Sequence, residues 1–226
     1  KVRKRVEYVA TDMYRPYIDL AKKVFPNANI VVDKFHIVQL LTRELNKLRI
    51  NEMKKLNTRS REYKIPKRYW KIPLTKNWEL NRIYFYKNIH FKNMTSSVDI
   101  LDYMLGKFPN LKEAYDFYQN FLLSISNNDV AMLEDILNTR TDKIPMCFRK
   151  SIKTLKKLRK YVVNSLKYDY TNAIVEGKNN KIKVIKRVSY GYRSFRNFKA
   201  RIMLMERYKI QKGNIHSYKF AMDAAA

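Results

Sequence analysis

The first 33 residues alternate between short apolar runs and one amphipathic stretch. Residues 6–11 predict a short strand, and the apolar positions of residues 17–25 recur with the spacing of a helix. Residues 30–32 form a continuous apolar run, which is typical of a buried parallel strand. The pattern therefore predicts one right-handed βαβ unit. Asp12 and Asp33 follow its two strands, at the edge where open α/β sheets place their functional sites.

Beyond residue 33 the pattern is helical almost throughout. It predicts a long amphipathic helix from residue 34 to about 57, an irregular segment at 58–78, and then helices at about 79–90, 95–107, 110–127, 129–139, 146–166, 172–186 and 194–209. Only four glycines and six prolines occur in 226 residues, which favours a helix-rich chain over a β-sandwich. The predicted fold class is α/β and mostly helical.

The charge of the chain is high and unevenly distributed. Lys and Arg number 48 against 20 Asp and Glu, a formal net charge of +28. Residues 147–213 carry 20 basic and three acidic side chains, whereas residues 98–138 carry seven acidic and two basic ones. A basic region interleaved with aromatic side chains favours a nucleic-acid partner. The competing interpretation, the compositional bias of an AT-rich genome, does not explain an acidic segment beside such a basic one.

Cysteine content and hydropathy exclude several protein classes. One cysteine excludes a disulfide framework and a cysteine-based zinc site, and it fits a reducing compartment. No apolar run approaches the 18 residues of a membrane span, so we expect no membrane partner. The expected location is the cytosol.

The predicted helix over residues 172–187 has two different faces. Its polar face carries Glu176, the only acid between residues 170 and 200, and its apolar face carries Ile174, Val175, Ile182 and Ile185. The residues three and four positions after Glu176 are Asn179 and Asn180, so a helix salt bridge does not explain it. A lone carboxylate among amides on a basic face suits a hard cation such as Mg²⁺. A solvated glutamate on an exposed helix explains the pattern equally well.

The two aspartates at the strand ends also have two interpretations. An Asp in this position is often a turn residue or a helix N-cap, and the pattern favours an N-cap for Asp33. His36 falls one turn into the following helix, where we expect it to bond a neighbouring carboxylate rather than a metal. Asp12 has no such structural explanation, because Pro16 delays the next helix.

Three blocks of the sequence carry a resemblance to a known family. They are residues 11–17 (TDMYRPY), residues 26–36 (PNANIVVDKFH) and residues 171–183 (TNAIVEGKNNKIK), the last continued at 186–195 (KRVSYGYRSF). All of them resemble the transposases of bacterial insertion sequences of the ISL3 type, which implies a location in the bacterial cytoplasm, associated with the nucleoid. The resemblance extends from position 11 to about position 207. Between the second and third blocks, the chain shares with the family only its helical character.

This resemblance implies a ribonuclease H-like fold and DDE chemistry. In that chemistry two Asp and one Glu hold two divalent ions, Mg²⁺ or Mn²⁺, that activate water and then a DNA 3′-hydroxyl. Asp12 resembles the second carboxylate of the triad and Glu176 the third, and both are expected to be catalytic metal ligands. The expected supporting residues are Asp33, His36, Asn172 and Asn180. The expected DNA-binding residues are Lys178, Lys181, Lys183, Lys186, Arg187, Arg193 and Arg196.

The resemblance also implies a first catalytic Asp upstream of Asp12, but none of the eleven preceding residues is an aspartate. The chain is therefore interpreted as the C-terminal part of a catalytic domain, a partial ribonuclease H-like fold interrupted by an all-α insertion. The expected parts are a core with strands four and five (1–36), the helical insertion (37–166), core helices carrying the glutamate (167–213) and a frayed tail (214–226).

The expected function is metal-dependent DNA cleavage and strand transfer of an insertion sequence, with transposon ends and target DNA as partners. The alternative is a catalytically inactive DNA-binding fragment, or a regulator of a full-length transposase. A two-stranded sheet leaves apolar edges exposed, which predicts a homo-oligomer or association with the full-length protein. Trp70 and Trp78 lie in a basic stretch, where they serve either packing or stacking on unpaired bases.

Overall fold

The computed structural model describes residues 2–138, 144–207, 209–210 and 220–221. The chain divides into two compact units, Lys1–Thr171 and Asn172–Ala226, here called unit 1 and unit 2. Apart from residues 220–221, the predicted tail at 214–226 lies outside the described residues. Among the helices described, none is both long and apolar enough to span a membrane.

Unit 1 begins with the predicted βαβ unit. Strand β1 (Tyr8–Thr11) is followed by helix α1 (Arg15–Val24) and strand β2 (Asn29–Val32). The strands are parallel, with Tyr8 opposite Asn29 and Thr11 opposite Val32. The three apolar residues of β2 are buried, whereas all four residues of β1 are partly exposed. The predicted order of strand, helix and parallel strand is confirmed, and each of these elements has a strong local pattern.

Seven longer helices complete the described part of unit 1. They are α2 (Lys34–Lys54), α3 (Arg61–Arg68), α4 (Ser97–Lys107), α5 (Pro109–Ser126), α6 (Val130–Asn138), α7 (Met146–Lys157) and α8 (Arg159–Lys167). Short 3₁₀ turns lie at Val2–Arg5, Ile72–Leu74 and Asn77–Glu79. The predicted helix at 146–166 is therefore two helices, separated by Leu158.

Two predictions between residues 58 and 90 are wrong. The segment expected to be irregular contains α3, which Ser60 caps by accepting a hydrogen bond from the Tyr63 amide at 3.2 Å. The segment expected to be helical at 79–90 is irregular. There the Asn81 side chain accepts bonds from the amides of Ile83 and Tyr84, at 3.2 and 2.9 Å. Such bonds give the backbone an alternative to the helix.

One hydrophobic core joins the βαβ unit to the helices of unit 1. It runs from Ile18 of α1 and Val32 of β2 through Leu41 of α2 to Phe121 of α5 and Leu155 of α7. Helix α2 packs against α3, α5, α7 and α8, and α8 also packs against β2. This packing fixes the start of α2, and with it the carboxyl ends of the two strands.

Unit 2 contains a helical hairpin and a short strand pair. Helix α9 (Ala173–Val188) is followed by α10 (Phe195–Arg207), and strands β3 (Lys209–Ile210) and β4 (Phe220–Ala221) pair antiparallel. Helix α9 ends in a Schellman turn: the Gly191 amide bonds the Lys186 carbonyl at 3.2 Å, and the Tyr190 amide bonds the Arg187 carbonyl at 3.0 Å. Within the described residues the chain is mostly helical with a parallel strand pair, so the coarse fold class is confirmed.

Candidate active site

The carboxyl ends of β1 and β2 bring together three of the predicted site residues. The amide of Asp33 donates to the Thr11 carbonyl at 3.0 Å, so Asp12 and Asp33 follow adjacent strands at one level. His36 lies in the first turn of α2, and its Nε2 is 2.9 Å from Oδ1 of Asp12. The side chains are 23% exposed for His36 and 41% exposed for Asp12. His36 therefore contacts a neighbouring carboxylate at ion-pair distance, as expected, and this carboxylate is one that solvent still reaches.

Asp33 has a different environment from Asp12. It is only 4% exposed and is the N-cap of α2, as the sequence pattern favours. Its Oδ1 accepts a bond from the Phe35 amide at 2.8 Å, and its Oδ2 accepts one from the Thr171 hydroxyl at 2.6 Å. A buried carboxylate held by donors on both oxygens stabilises local structure. It joins the start of α2 to a residue 138 positions away.

The loop at 168–171, which ends unit 1, is attached to this strand edge by further contacts. The ring of Tyr8 on β1 lies 4.9 Å from that of Tyr168 and 4.5 Å from that of Tyr170, measured between centroids. Nζ of Lys34 lies 3.5 Å from Oδ1 of Asp169. Together with the bond from Thr171 to Asp33, these contacts fix the segment immediately before α9.

Glu176 lies in the first turn of α9, four residues after the N-cap Asn172. It is exposed, as is Asn180 one turn later, and its amide donates to the Asn172 carbonyl at 3.0 Å. On the predicted apolar face Ile185 is buried at 2%, but Ile174 and Val175 are 74% and 59% exposed. That Glu176 shares a site with Asp12 stays a prediction.

The predicted DNA-binding side chains are all exposed. Lys178, Lys181, Lys183, Lys186 and Arg187 lie on α9, Arg193 lies in the turn after it, and Arg196 lies on α10. Nζ of Lys181 donates to the Met205 carbonyl at 3.2 Å, which links the two helices of the hairpin. The turn between them is held by Tyr192, whose hydroxyl is 2.7 Å from Oγ of Ser189 and whose ring is 4.8 Å from that of Phe198.

A cleft of about 310 Å³ lies beside His36. Its walls include Tyr14, Gln39 and the exposed Arg43. Arginine and tyrosine side chains commonly contact phosphate oxygens. The cleft therefore offers space and donors for an anionic substrate next to Asp12.

The chemistry of the candidate residues fits a divalent cation. Asp12 and Glu176 supply carboxylate oxygens, the donors that Mg²⁺ and Mn²⁺ prefer. His36 contacts an oxygen of Asp12, and carboxylates that bind metals are commonly held by a neighbouring polar side chain in this way. Sequence reasoning missed the roles of Thr171, Lys34 and Tyr8. The local pattern gives no sign of contacts that span more than 130 residues, although Thr171 begins one of the conspicuous blocks.

Comparisons with known proteins match the chain to a transposase family. A family described as Transposase, the ISL3-type DDE transposases, matches residues 1–202. A curated protein of Lactococcus lactis subsp. lactis named ATP-dependent protease is 39% identical over 121 residues. That alignment covers 54% of this chain and 38% of the relative, so the chain spans well under half of the relative's length. No solved structure matches significantly.

The name of this relative suggests nucleotide binding, so the sequence can be checked for a P-loop. An ATP-binding P-loop requires two glycines five positions apart, the second followed by Lys and Ser or Thr. The chain has four glycines, and no pair of them has this spacing. The family match, in contrast, includes every carboxylate and histidine of the candidate site.

Proposed function

This chain belongs to the ISL3-type transposase family, and from this premise we propose that Asp12 and Glu176 are two of the metal-binding carboxylates of a DDE transposase. The observation that carries the proposal is the contact of 2.9 Å between His36 and Asp12 at the end of β1. It singles out Asp12 as an oriented, solvent-reachable carboxylate at the sheet edge where α/β folds place their sites. The reaction is DNA cleavage followed by strand transfer of an insertion sequence.

Each side chain has a separate role in this proposal. Asp12 and Glu176 would hold the divalent ions, which, when bound, would supply Lewis-acid chemistry for phosphodiester cleavage. His36 orients Asp12 through Nε2. Asp33 fixes the turn that carries His36 and, through Thr171, the loop that leads to α9. The exposed cations of α9 and α10 contact the DNA backbone.

The finer fold assignment belongs to the same proposal. A parallel βαβ unit with a carboxylate after its first strand agrees with strands four and five of a ribonuclease H-like core. The helices between residues 37 and 166 are then the insertion, and α9 is the core helix that carries the last carboxylate. The proposed partners are the transposon ends, the target DNA and further copies of the transposase.

Manganese binding tests whether the two carboxylates share a site. Mn²⁺ titrations of the whole chain, followed by the electron paramagnetic resonance signal of the free ion, would compare wild type with Asp12→Asn and Glu176→Gln. We expect each variant to weaken binding about tenfold or more, and the double variant to be no weaker than the single ones, since residues of one site act as a unit.

Asp19→Asn is the matched control for Asp12→Asn. Asp19 is also on the βαβ unit, its side chain is 49% exposed, and its removal changes the net charge equally. Unchanged binding in this control and weaker binding in both site variants support the proposal. Wild-type affinity in Glu176→Gln contradicts a shared site, even if Asp12→Asn binds weakly.

A further inference from the structure

Large apolar side chains are exposed in an irregular part of unit 1, far along the chain from the candidate site. Residues 81–95 present Ile83 at 79%, Tyr84 at 76%, Phe85 at 52% and Ile89 at 79% exposure. Clustered exposed side chains of this kind mark interaction sites rather than ordinary surface. With the facing helix α3 they form the surface called here the aromatic–basic surface (α3 and residues 81–95).

The charge of this region is strongly positive. Residues 59–94 contain ten Lys and Arg against two Glu. Trp70 and Trp78 belong to the same stretch and are 41% and 46% exposed, each with a lysine ammonium within 6 Å of its ring. A surface that combines cations with exposed rings complements a ligand that carries both anionic groups and flat apolar faces.

A pocket of about 480 Å³ lies on this surface. Rings of Phe85 and Phe91 line it together with the cationic side chains of Arg61 and Lys92 and one carboxylate, that of Asp99. The Arg61 guanidinium lies 4.7 Å from the Phe91 ring centroid, which holds both groups in place. The volume falls in the range of pockets that bind small ligands.

The wall of this pocket contains an unsatisfied polar group. Thr95 is 6% exposed and lines the pocket, and its hydroxyl has no hydrogen-bond partner among the described residues. A buried hydroxyl without a partner costs free energy, and a rotation of the Thr95 side chain toward the pocket would let a ligand supply one.

A second cleft, of about 560 Å³, is formed by the same two elements. Lys64, Lys67 and Arg68 line it from α3, and Ile89 and His90 from the facing segment. Burial, followed by the positive charges of Arg68, Lys64 and Arg61, lowers the pKa of His90. So many cations without an acid in the lining make this cleft suited to a phosphate.

We propose that the aromatic–basic surface binds unpaired nucleotides of a DNA strand, with a base in the pocket of Phe85 and Phe91 and backbone phosphates on Lys92 and the cleft of α3. Stacking on aromatic rings requires a base that is out of the duplex, because paired bases hide their faces. The inference rests on the proposed DNA-binding function and adds the structure of DNA that this region recognises.

Two DNA substrates separate this role from ordinary backbone binding. One is a fluorescent blunt duplex, and the other is the same duplex with a single-stranded overhang that contains 2-aminopurine. We expect the wild-type chain to bind the overhang more tightly and the 2-aminopurine emission to change on binding. Phe85→Ala and Lys92→Gln should reduce the preference for the overhang, Phe85→Ala by about fivefold or more, and leave the affinity for the blunt duplex unchanged.

The controls are exposed side chains of the same types outside the pocket. Tyr17→Ala removes a ring that is 54% exposed on α1, and Lys23→Gln removes an exposed cation from the same helix, outside the aromatic–basic surface. Both should keep the preference for the overhang. Equal wild-type affinity for the two substrates, or an equal loss for both in Phe85→Ala, overturns the inference while leaving duplex binding intact. Absence of all DNA binding overturns the proposed function as well.

A second copy of the chain is the competing occupant of this surface. Sedimentation equilibrium of wild type and Phe85→Ala distinguishes it from DNA. If Phe85→Ala turns a dimer into a monomer and keeps the preference for the overhang, the surface is a contact between copies and the inference is wrong.

Discussion

The bond between Thr171 and Asp33 allows a quantitative test of how the candidate site is held together. Asp33→Ala removes the N-cap of α2, which is worth about 1 kcal/mol, and an acceptor for the Thr171 hydroxyl. A hydrogen bond to a charged group contributes about 1.5–3 kcal/mol. We therefore expect Asp33→Ala to lower the free energy of unfolding by about 2–4 kcal/mol. Urea unfolding followed by helical circular dichroism measures this loss.

Two further variants separate the contributions. Asp33→Asn keeps an oxygen that caps α2, since Asn and Asp are equivalent N-caps, and should lose less than half as much. Thr171→Val removes the hydroxyl at nearly constant shape and should speed amide hydrogen exchange in residues 168–171. The double variant Asp33→Ala with Thr171→Val should show a coupling of about 1 kcal/mol or more. If the loss of stability in the double variant equals the sum of the two single losses to within about 0.3–0.5 kcal/mol, the claim that this bond stabilises the chain is refuted.

Three further predictions concern other parts of the molecule. Tyr190 has a left-handed backbone with φ of 52°, so Tyr190→Gly should stabilise the α9–α10 hairpin by about 1 kcal/mol in thermal unfolding, whereas Tyr190→Ala should not. Ser96 forms a reciprocal capping box with Asp99, so Ser96→Ala should cost about 1 kcal/mol in urea unfolding; an unchanged midpoint would contradict this. DNA affinity should fall steeply with rising salt concentration, which affinity titrations at several salt concentrations measure. A variant with four Lys or Arg→Glu changes on α9 should bind DNA more weakly. Its affinity should also depend less on salt, the slope falling by about 0.9 per lost phosphate contact. The changed residues are Lys181, Lys183, Lys186 and Arg187.

The βαβ unit could be predicted from the sequence because its signals are local. The apolar run of β2 and the periodic pattern of α1 each specify one element, and the observed bounds agree closely with the predicted ones. Residues 79–90 misled the prediction because Leu80, Ile83 and Tyr84 occur at helical spacing. The side chain of Asn81 satisfies two backbone amides there, and a pattern of apolar positions does not register that competition.

In the candidate site, too, roles that depend on neighbouring residues could be predicted, whereas roles that depend on residues far along the chain could not. The N-cap role of Asp33 follows from its position before a helix, and the role of His36 follows from its place one turn later. The hydroxyl of Thr171 and the ring of Tyr8 act over distances along the chain that no short pattern encodes. Tyr8 lies outside the blocks that resemble the transposase family, and Thr171 begins one of them without any sign of its distant partner, so neither role could be predicted.

Asp12 and Asp33 show how one sheet edge gives two identical side chains different roles. Both follow parallel strands at the same level, but Asp33 is 4% exposed with donors on both oxygens, whereas the Asp12 side chain is 41% exposed beside His36. For Asp33 to bind a metal it would have to give up the cap of α2 or the bond from Thr171, at a cost of about 1 kcal/mol or more. Asp12 has no cap to lose. We therefore expect Asp33→Asn to bind Mn²⁺ about as tightly as wild type but to be less stable. Asp12→Asn should bind Mn²⁺ about tenfold or more weakly and be as stable as wild type. The reverse pattern would assign the metal to Asp33.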